Sequence, residues 1–293
     1  MNENNILVDR FNRKIIKLRI SITSECNLNC PYCHKEGHYQ DKINYLSLNQ
    51  IIKIVEICKR YNINYIKITG GEPLLHPEII KIIELFNKNI NLKDLSITTN
   101  GTKLEELAVH LKKAGLMRIN IGCDSIQNSS LKNLKRIQKG ILSSKEVGLS
   151  PIKLNMVVLK DINQNEINEI IEYCRDNNLI LQLIELIDYN HDFYNRFHVD
   201  LTDIENEIKN KSIKVINREF QNRKQYVLNN GAVIEIVRPM HNSLFCSKCN
   251  TLRVTSDYKF KPCLNRDDNL VPIEEDIQKS LLIAINNREP YFK

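Results

Sequence analysis

An α/β fold is predicted for this chain: a partial (β/α)6 TIM-like barrel over residues 1–188, followed by a smaller C-terminal domain over residues 189–293. Three observations carry the expectation. Short β-rich runs alternate with longer stretches of helical period, which is the order of parallel βα units. Six such units can be read before the rhythm fades near residue 190. The 293 residues leave room for one barrel-sized domain and an appendage.

The strands fall near residues 15–22, 64–69, 94–99, 117–123, 152–158 and 180–187. Between the first two lies an amphipathic stretch, 48–61, with apolar Leu48, Ile51, Ile52, Val55 and Cys58; another spans 105–114. Such units close into a full or partial barrel whose chemistry sits in the loops after the strands. Side chains alternate along a strand, so Leu18, Ile20 and Ile22 share one face of the first, and Lys17, Arg19 and Ser21 the other. The second strand groups Tyr65, Lys67 and Thr69, the fourth Arg118, Asn120, Gly122 and Asp124, the fifth Lys153 and Asn155. Strands covered by helices on both faces would be apolar on both. Cations pointing into a barrel are costly unless something anionic pairs with them, so the lumen is expected to hold a charged ligand. A register misread by one residue would instead place some of them in solvent at an open edge. Beyond residue 190 come a helix-like stretch, 202–211, and short runs at 212–216 and 232–237.

The apolar fraction of 42% and charged fraction of 26% are ordinary for a globular chain, and no run nears the length of a membrane span. Residues 1–10 have no apolar signal core, so a cytoplasmic protein is expected. Nine cysteines without such a signal point to reduced thiols and metal rather than disulfides. Cys58, Cys123 and Cys174 stand singly inside regular segments and read as buried small hydrophobes. The net charge of +7, from 42 basic and 35 acidic residues, has no dense basic block. It suits a polyanion without choosing between nucleotide and nucleic acid.

The other six cysteines form two triads. Cys26, Cys30 and Cys33 have C-x3-C-x2-C spacing directly after the first strand, with Tyr32 before the third. A four-iron, four-sulfur cluster takes four thiolates, so a loop offering three leaves one iron open to another ligand. The alternative is a zinc knuckle, but structural zinc wants a closed set of four ligands. Cys246, Cys249 and Cys263 have C-x2-C-x13-C spacing, which a zinc site completed by His241 or another residue would explain about as well as a cluster does. Gly70-Gly71-Glu72-Pro73 follows the second strand, where paired glycines would let a ligand approach the backbone.

The first triad with its aromatic residue is similar to the fingerprint of the radical S-adenosylmethionine enzymes, and the GGEP segment resembles their adenosylmethionine-binding motif. More of the chain fits one branch. The two triads, with Phe11-Asn12-Arg13, Thr98-Thr99-Asn100-Gly101, Ala114-Gly115-Leu116, Ile184-Glu185 and Lys261-Pro262-Cys263-Leu264, resemble the GTP 3′,8-cyclases of molybdenum cofactor biosynthesis, the MoaA type, from about Phe11 to Arg266.

The resemblance implies two 4Fe-4S clusters, one on Cys26, Cys30 and Cys33 and one on Cys246, Cys249 and Cys263, in a barrel of the radical S-adenosylmethionine type whose C-terminal domain carries the second cluster. It places Tyr32, Gly71, Gly122 and Ile187 at the adenosylmethionine, although Gly122 stands where the family usually has serine and Ile187 where it often has methionine. Arg19, Lys67 and Lys153 match triphosphate positions, and Thr98 a nearby nucleotide contact. Arg253 matches the second arginine of an Arg-x-Arg segment, while Thr251 stands where the first would be, so one charge-assisted contact to the nucleotide is missing. Many members end in a glycine pair, whereas residues 288–293 read Arg-Glu-Pro-Tyr-Phe-Lys. The implied reaction begins with cleavage of adenosylmethionine to a 5′-deoxyadenosyl radical, which takes hydrogen from the ribose 3′ carbon of GTP. Attack on guanine carbon 8 then gives 3′,8-cyclo-7,8-dihydro-GTP. Implied partners are GTP rather than nucleic acid or membrane, an electron donor such as ferredoxin or flavodoxin, and the cyclic pyranopterin monophosphate synthase; a homodimer is allowed. Two rivals differ in kind. A peptide-modifying radical enzyme usually carries more cysteines in its second domain, and a non-catalytic zinc or iron redox sensor has no use for the glycine pair or lumenal cations.

Overall fold

The computed structural model describes residues 6–240 and 242–291. His241 and the last two residues of the C-terminal tail, both singled out above, lie outside the described residues, as do residues 1–5. The chain begins with alternating strands and helices: β1 (Lys17–Ser21), α1 (Leu48–Arg60), β2 (Tyr65–Thr69), α2 (Ile79–Asn89), β3 (Asp94–Thr99), α3 (Leu104–Ala114), β4 (Arg118–Gly122), α4 (Leu134–Glu146), β5 (Ile152–Val158), α5 (Ile167–Asp176) and β6 (Ile180–Glu185). These six strands pair in sequence order, all parallel. The expected six-unit partial barrel is therefore present.

The remainder runs α6 (His191–Phe197), α7 (Thr202–Asn210), β7 (Ser212–Asn217), β8 (Lys224–Leu228), β9 (Val233–Val237), α8 (Ser243–Ser247), β10 (Thr251–Val254), β11 (Lys259–Lys261), β12 (Val271–Pro272) and α9 (Ile277–Asn286). Its strands do not form a sheet of their own. They extend both edges of the barrel sheet, in the order β12-β11-β10-β1-β2-β3-β4-β5-β6-β9-β8-β7. β10 lies parallel to β1, and β9 parallel to β6. Pairing with the barrel satisfies the backbone groups that an open edge would otherwise leave bare.

Why the helices settle as they do is clear in α1. Ser47 and Gln50 form a reciprocal cap at its start. Ile51, Ile54, Val55 and Cys58 are buried at the three- and four-residue spacing of one face. Ile52, read from sequence as part of that face, is 40% exposed, and Ile54 takes its place. A step of about 100° per residue carries position 52 away from the stripe set by 51, 55 and 58. Cys58, Cys123 and Cys174 are fully buried, and burial pushes their thiols far above the ordinary range.

The helix phase makes a prediction. Ile54→Ala should cost about 2–5 kcal/mol of stability by leaving a cavity. Ile52→Ala should cost within about 0.5 kcal/mol. Denaturant unfolding of the two variants checks this, and equal losses would restore the phase read from sequence.

Candidate active site

The strand faces close on one cavity of about 810 Å³ that is lined by all six triad cysteines. Register explains their arrangement. Cys26 lies just beyond the C-terminal end of β1. β10 runs parallel to β1 with Lys17 opposite Thr251 and Arg19 opposite Arg253, so Cys249 precedes the level of Lys17 at the other end of the lumen. β11 turns back antiparallel with Lys261 opposite Arg253, which returns Cys263 to the level of Thr251. The two triads therefore face each other along β1.

The first loop is held by the two motifs that follow β2 and β3. Gly71 N–H donates to Thr23 O at 2.8 Å and Glu72 N–H to Glu25 O at 2.6 Å. A Cβ on Gly70 would stand 2.5 Å from Thr23 O, and one on Gly71 2.1 Å from Glu25 O. These glycines thus admit the backbone leading into the cysteine loop. Buried Glu72 accepts from Thr99 Oγ1 and Asn100 N at 2.6 Å each and from Leu74 N at 3.0 Å. Burial lifts its carboxyl to about 6 even against those bonds. Asn100 Nδ2 in turn donates to Asn27 Oδ1 at 2.7 Å, inside the cysteine loop.

Tyr32 is buried and donates its hydroxyl to Asp124. Lys132, missed from sequence, lies 5.1 Å over the Tyr32 ring and 3.5 Å from Asp124. Its side chain fills the space a Cβ on Gly122 would need, at 2.4 Å. Gly122, Ile187 and Thr98 line the cavity.

The polar strand faces point inward, so the register read from sequence holds. Among the described residues, twelve lysines and arginines line the cavity against four carboxylates, leaving it strongly cationic. Their pairing differs from expectation, because the protein supplies anions of its own. Arg118 makes a two-pronged contact with Asp94, at 2.6 Å for each bond. Lys153 donates to Glu235 at 2.5 Å, and Glu235 also accepts from Arg218 at 2.6 Å and Gln182 at 2.8 Å. Burial lowers Lys153 to about 8, with Glu235 opposing it; burial also works against Glu235, yet Lys153 and Arg218 hold its carboxyl at about 2. Lys67 donates to Asn120 at 3.0 Å, and burial with Arg118 and Arg19 nearby pushes it well down. Glu235, alone in the apolar run Val-Ile-Glu-Ile-Val, was the legible signal that the sequence reading passed over.

Arg19 and Arg253 sit side by side on neighbouring strands, an arrangement like charges resist. Glu36 lies between them, accepting from Arg19 at 2.5 Å and from Thr69 at 2.9 Å, and standing 3.6 Å from Arg253. Burial opposes its charge, but Arg19, His34 and Arg253 bring its carboxyl to about 2. Among the described residues, Arg19 Nε and Arg253 Nη1 remain buried without a hydrogen-bond partner. Lower in the lumen Lys17 lies 3.6 Å over the Phe220 ring, with Arg223 4.8 Å over the same ring. Burial and the cations Arg223 and Arg218 lower Lys17 to about 8.

The donor sets fit iron and sulfur. All six thiols line the cavity, and soft thiolate sets select iron–sulfur clusters or zinc. Among the described residues no three His, Cys, Asp or Glu side chains converge as one ion would require. No helix among the described residues is long and apolar enough to cross a membrane.

Comparison with known proteins agrees with this geometry. The sequence model of the Radical SAM superfamily matches residues 20–174, and that of Molybdenum Cofactor Synthesis C matches residues 179–289. In fold, the chain is similar to Streptococcus suis SuiB bound to S-adenosylmethionine, with a TM-score of 0.70 at 17% identity over 92% of this chain and 66% of that one. SuiB has also been solved with a precursor peptide, but at this identity the likeness shows the fold alone. An inward-facing cysteine loop on a parallel βα sheet, matched by that superfamily, defines a radical S-adenosylmethionine enzyme, which works with S-adenosylmethionine and an iron–sulfur cluster. The chain is 45% identical to the probable GTP 3′,8-cyclase of Methanococcus aeolicus, over 97% of this chain and 99% of that protein. With the probable cyclase of Methanocaldococcus jannaschii it shares 43%, over 97% and 99%, and with that of Methanocella arvoryzae 40%, over 98% and 95%. It belongs to the GTP 3′,8-cyclase family.

The Glu235 cluster makes a pH prediction. Its folded carboxyl sits at about 2, below the ordinary 4.5, so the stability it lends is complete above about pH 4.5 and lost as pH falls through 2. Denaturant midpoints of the cofactor-free protein should decline over that window, and Glu235→Gln should flatten the decline. An unchanged acid slope in the variant would show that the cluster does not carry it.

Proposed function

We propose that the enzyme converts GTP to 3′,8-cyclo-7,8-dihydro-GTP, the first step of molybdopterin cofactor biosynthesis. The observation that carries the reading is a cationic cavity with a cysteine triad at either end. We take Cys26, Cys30 and Cys33 to hold the first 4Fe-4S cluster, with Tyr32, Gly71, Gly122 and Ile187 around the adenosylmethionine. Cys246, Cys249 and Cys263 would hold a second cluster. When bound, the first cluster and adenosylmethionine supply the one-electron chemistry that removes a hydrogen from the ribose. We assign residues 1–188 to the barrel part that carries this loop and residues 189–293 to a C-terminal part that carries the second cluster and binds substrate.

What the chain itself contributes is anion binding, orientation and exclusion of water. Arg19 and Arg253 are held adjacent and share Glu36, so a phosphate group entering between them replaces a carboxylate rather than a hydration shell. Thr69, bonded to the same carboxylate, would then be released to the substrate. Lys67 and Thr98 line the same wall. Lys153 is committed to Glu235, so its share in triphosphate binding depends on a network with Arg218 and Gln182 rather than on a free ammonium. Thr251 is buried on the wall and offers no charge. The nucleotide reading also includes a ferredoxin or flavodoxin as electron donor and hand-over to the cyclic pyranopterin monophosphate synthase.

The direct test is anaerobic incubation of reconstituted protein with adenosylmethionine, dithionite and GTP, followed by mass analysis of products. The reconstituted chain should carry about eight irons, from two four-iron clusters. Cys30→Ala should abolish adenosylmethionine cleavage, whereas Cys249→Ala should cleave it without forming cyclised nucleotide. Stoichiometric zinc with little iron would sink the reading, and cyclisation by the Cys249 variant would reduce the second triad to a structural part.

Binding separates the cations. Arg19→Ala should weaken GTP about 10-fold or more and leave guanosine nearly unchanged, since each charge-assisted contact contributes on the order of 1.5–3 kcal/mol. Glu36→Gln should tighten GTP, because the carboxylate that competes for both arginines is gone. Calorimetry under anaerobic conditions checks both, and weaker GTP binding by the Glu36 variant would contradict the exchange.

A further inference from the structure

The second triad is gripped from behind by a buried group that the nucleotide reading does not use. The Asp9 side chain is wholly buried, and one of its oxygens, Oδ2, accepts from Arg13 Nε at 2.7 Å and from Arg288 Nε at 2.8 Å. The other, Oδ1, accepts the backbone N–H groups of Phe11 and Arg13 at 3.0 Å each. With Asp9 fixing both guanidinium planes, their remaining donors turn to the cysteine segments. Arg13 Nη1 donates to Cys246 O at 3.1 Å. Arg288 Nη2 donates to Cys249 O at 2.8 Å, while its Nη1 reaches Thr251 O at 2.7 Å and Pro262 O, next to Cys263, at 3.1 Å. Thus each of the three cysteines has its own or an adjacent carbonyl tied to one of two guanidiniums. The two stretches are far apart in sequence, and this fork brings them together. Arg13 also takes the carbonyls of Glu289 and Pro290, which anchors the segment after α9 to the same point.

Hydrogen bonding alone leaves part of this unexplained. Two buried cations share one carboxylate, so one positive charge is left over beside the triad. Burying an unbalanced charge is costly unless an anion lies close. Three thiolates supply one. Rigid donors fixed by a further partner are how a metal site holds its ligands in place.

We propose that Asp9, Arg13 and Arg288 form a brace that sets the spacing of Cys246, Cys249 and Cys263 and raises the reduction potential of the cluster bound there. Arg288 is the positioning residue at its centre. The inference rests on the second triad being a cluster site. Nearby positive charge favours the more reduced, more negative cluster, and a fork that spans both cysteine segments keeps them at the distance the cluster needs.

The test uses a full-length Cys26→Ala, Cys30→Ala, Cys33→Ala protein, so that only the second triad can take iron. It is reconstituted with ferrous iron and sulfide, desalted, and assayed for iron, midpoint potential and melting temperature. About four irons per chain are expected for this parent. Arg288→Gln should retain at most half of that iron. Its remaining cluster should shift negative by about 59 mV, a tenfold change in a one-electron equilibrium. Arg288→Lys keeps the charge but not the fork, so it should lose iron while holding the parent's potential. Parental iron and potential in a folded Arg288→Gln protein would overturn the brace. If that variant does not fold, parental iron in Arg288→Lys would overturn it instead. A parent that binds no iron would overturn the second-cluster reading and the brace with it.

Discussion

The pairing of β10 against β1 is the constraint on which the rest of the site depends. It makes a segment more than two hundred residues downstream the immediate neighbour of the first barrel strand, in parallel register. One triad then lies past the C-terminal end of β1 and the other ahead of the N-terminal start of β10. No loop has to bridge them, because the length of β1 itself sets their separation. Register also places Arg19 beside Arg253, midway between the triads. A slip of one residue would turn Arg253 away from the lumen and break that pair.

Charge in the lumen follows from this geometry. A parallel barrel must fill its interior, and here much of the filling is Lys and Arg held by Asp94, Glu235 and Glu36. The three acids differ in their mounting. Asp94 and Glu235 are on strands, fixed by backbone pairing. Glu36 is on the loop after the first triad, in the left-handed region at φ 55°. The strand carboxylates are set by the sheet, whereas Glu36 is set by its side-chain partners Arg19, Thr69 and Arg253. Lys132, over Tyr32 and beside Asp124, and Arg223, over Phe220, add cations that rest on aromatic rings.

The motifs around the first triad act as one scaffold. Gly71 admits the backbone of residues 23–25, Glu72 ties that turn to Thr99 and Asn100, and Asn100 reaches Asn27. Each motif therefore positions the next, and the cysteine loop is fixed from two sides. The second triad is held in another way, by side-chain donors from both chain ends meeting at Asp9.

Much of this was written locally. Alternation of apolar and polar residues set the six strands and their inward faces, because a strand's period of two is a property of the backbone. Cysteine spacing picked out the two triads that line the cavity, and the glycine pair marked a close approach, which the backbone of residues 23–25 makes. Tertiary structure decided the partners. Asp94 beside Arg118, Glu235 beside Lys153 and Asp9 between Arg13 and Arg288 join residues 24, 82 and up to 279 positions apart. Composition and periodicity cannot report such pairs, since they depend on strand order and on which edge of the sheet the C-terminal segment joins. That choice arises from burying both sheet edges at once, a requirement of the whole chain that no single segment states.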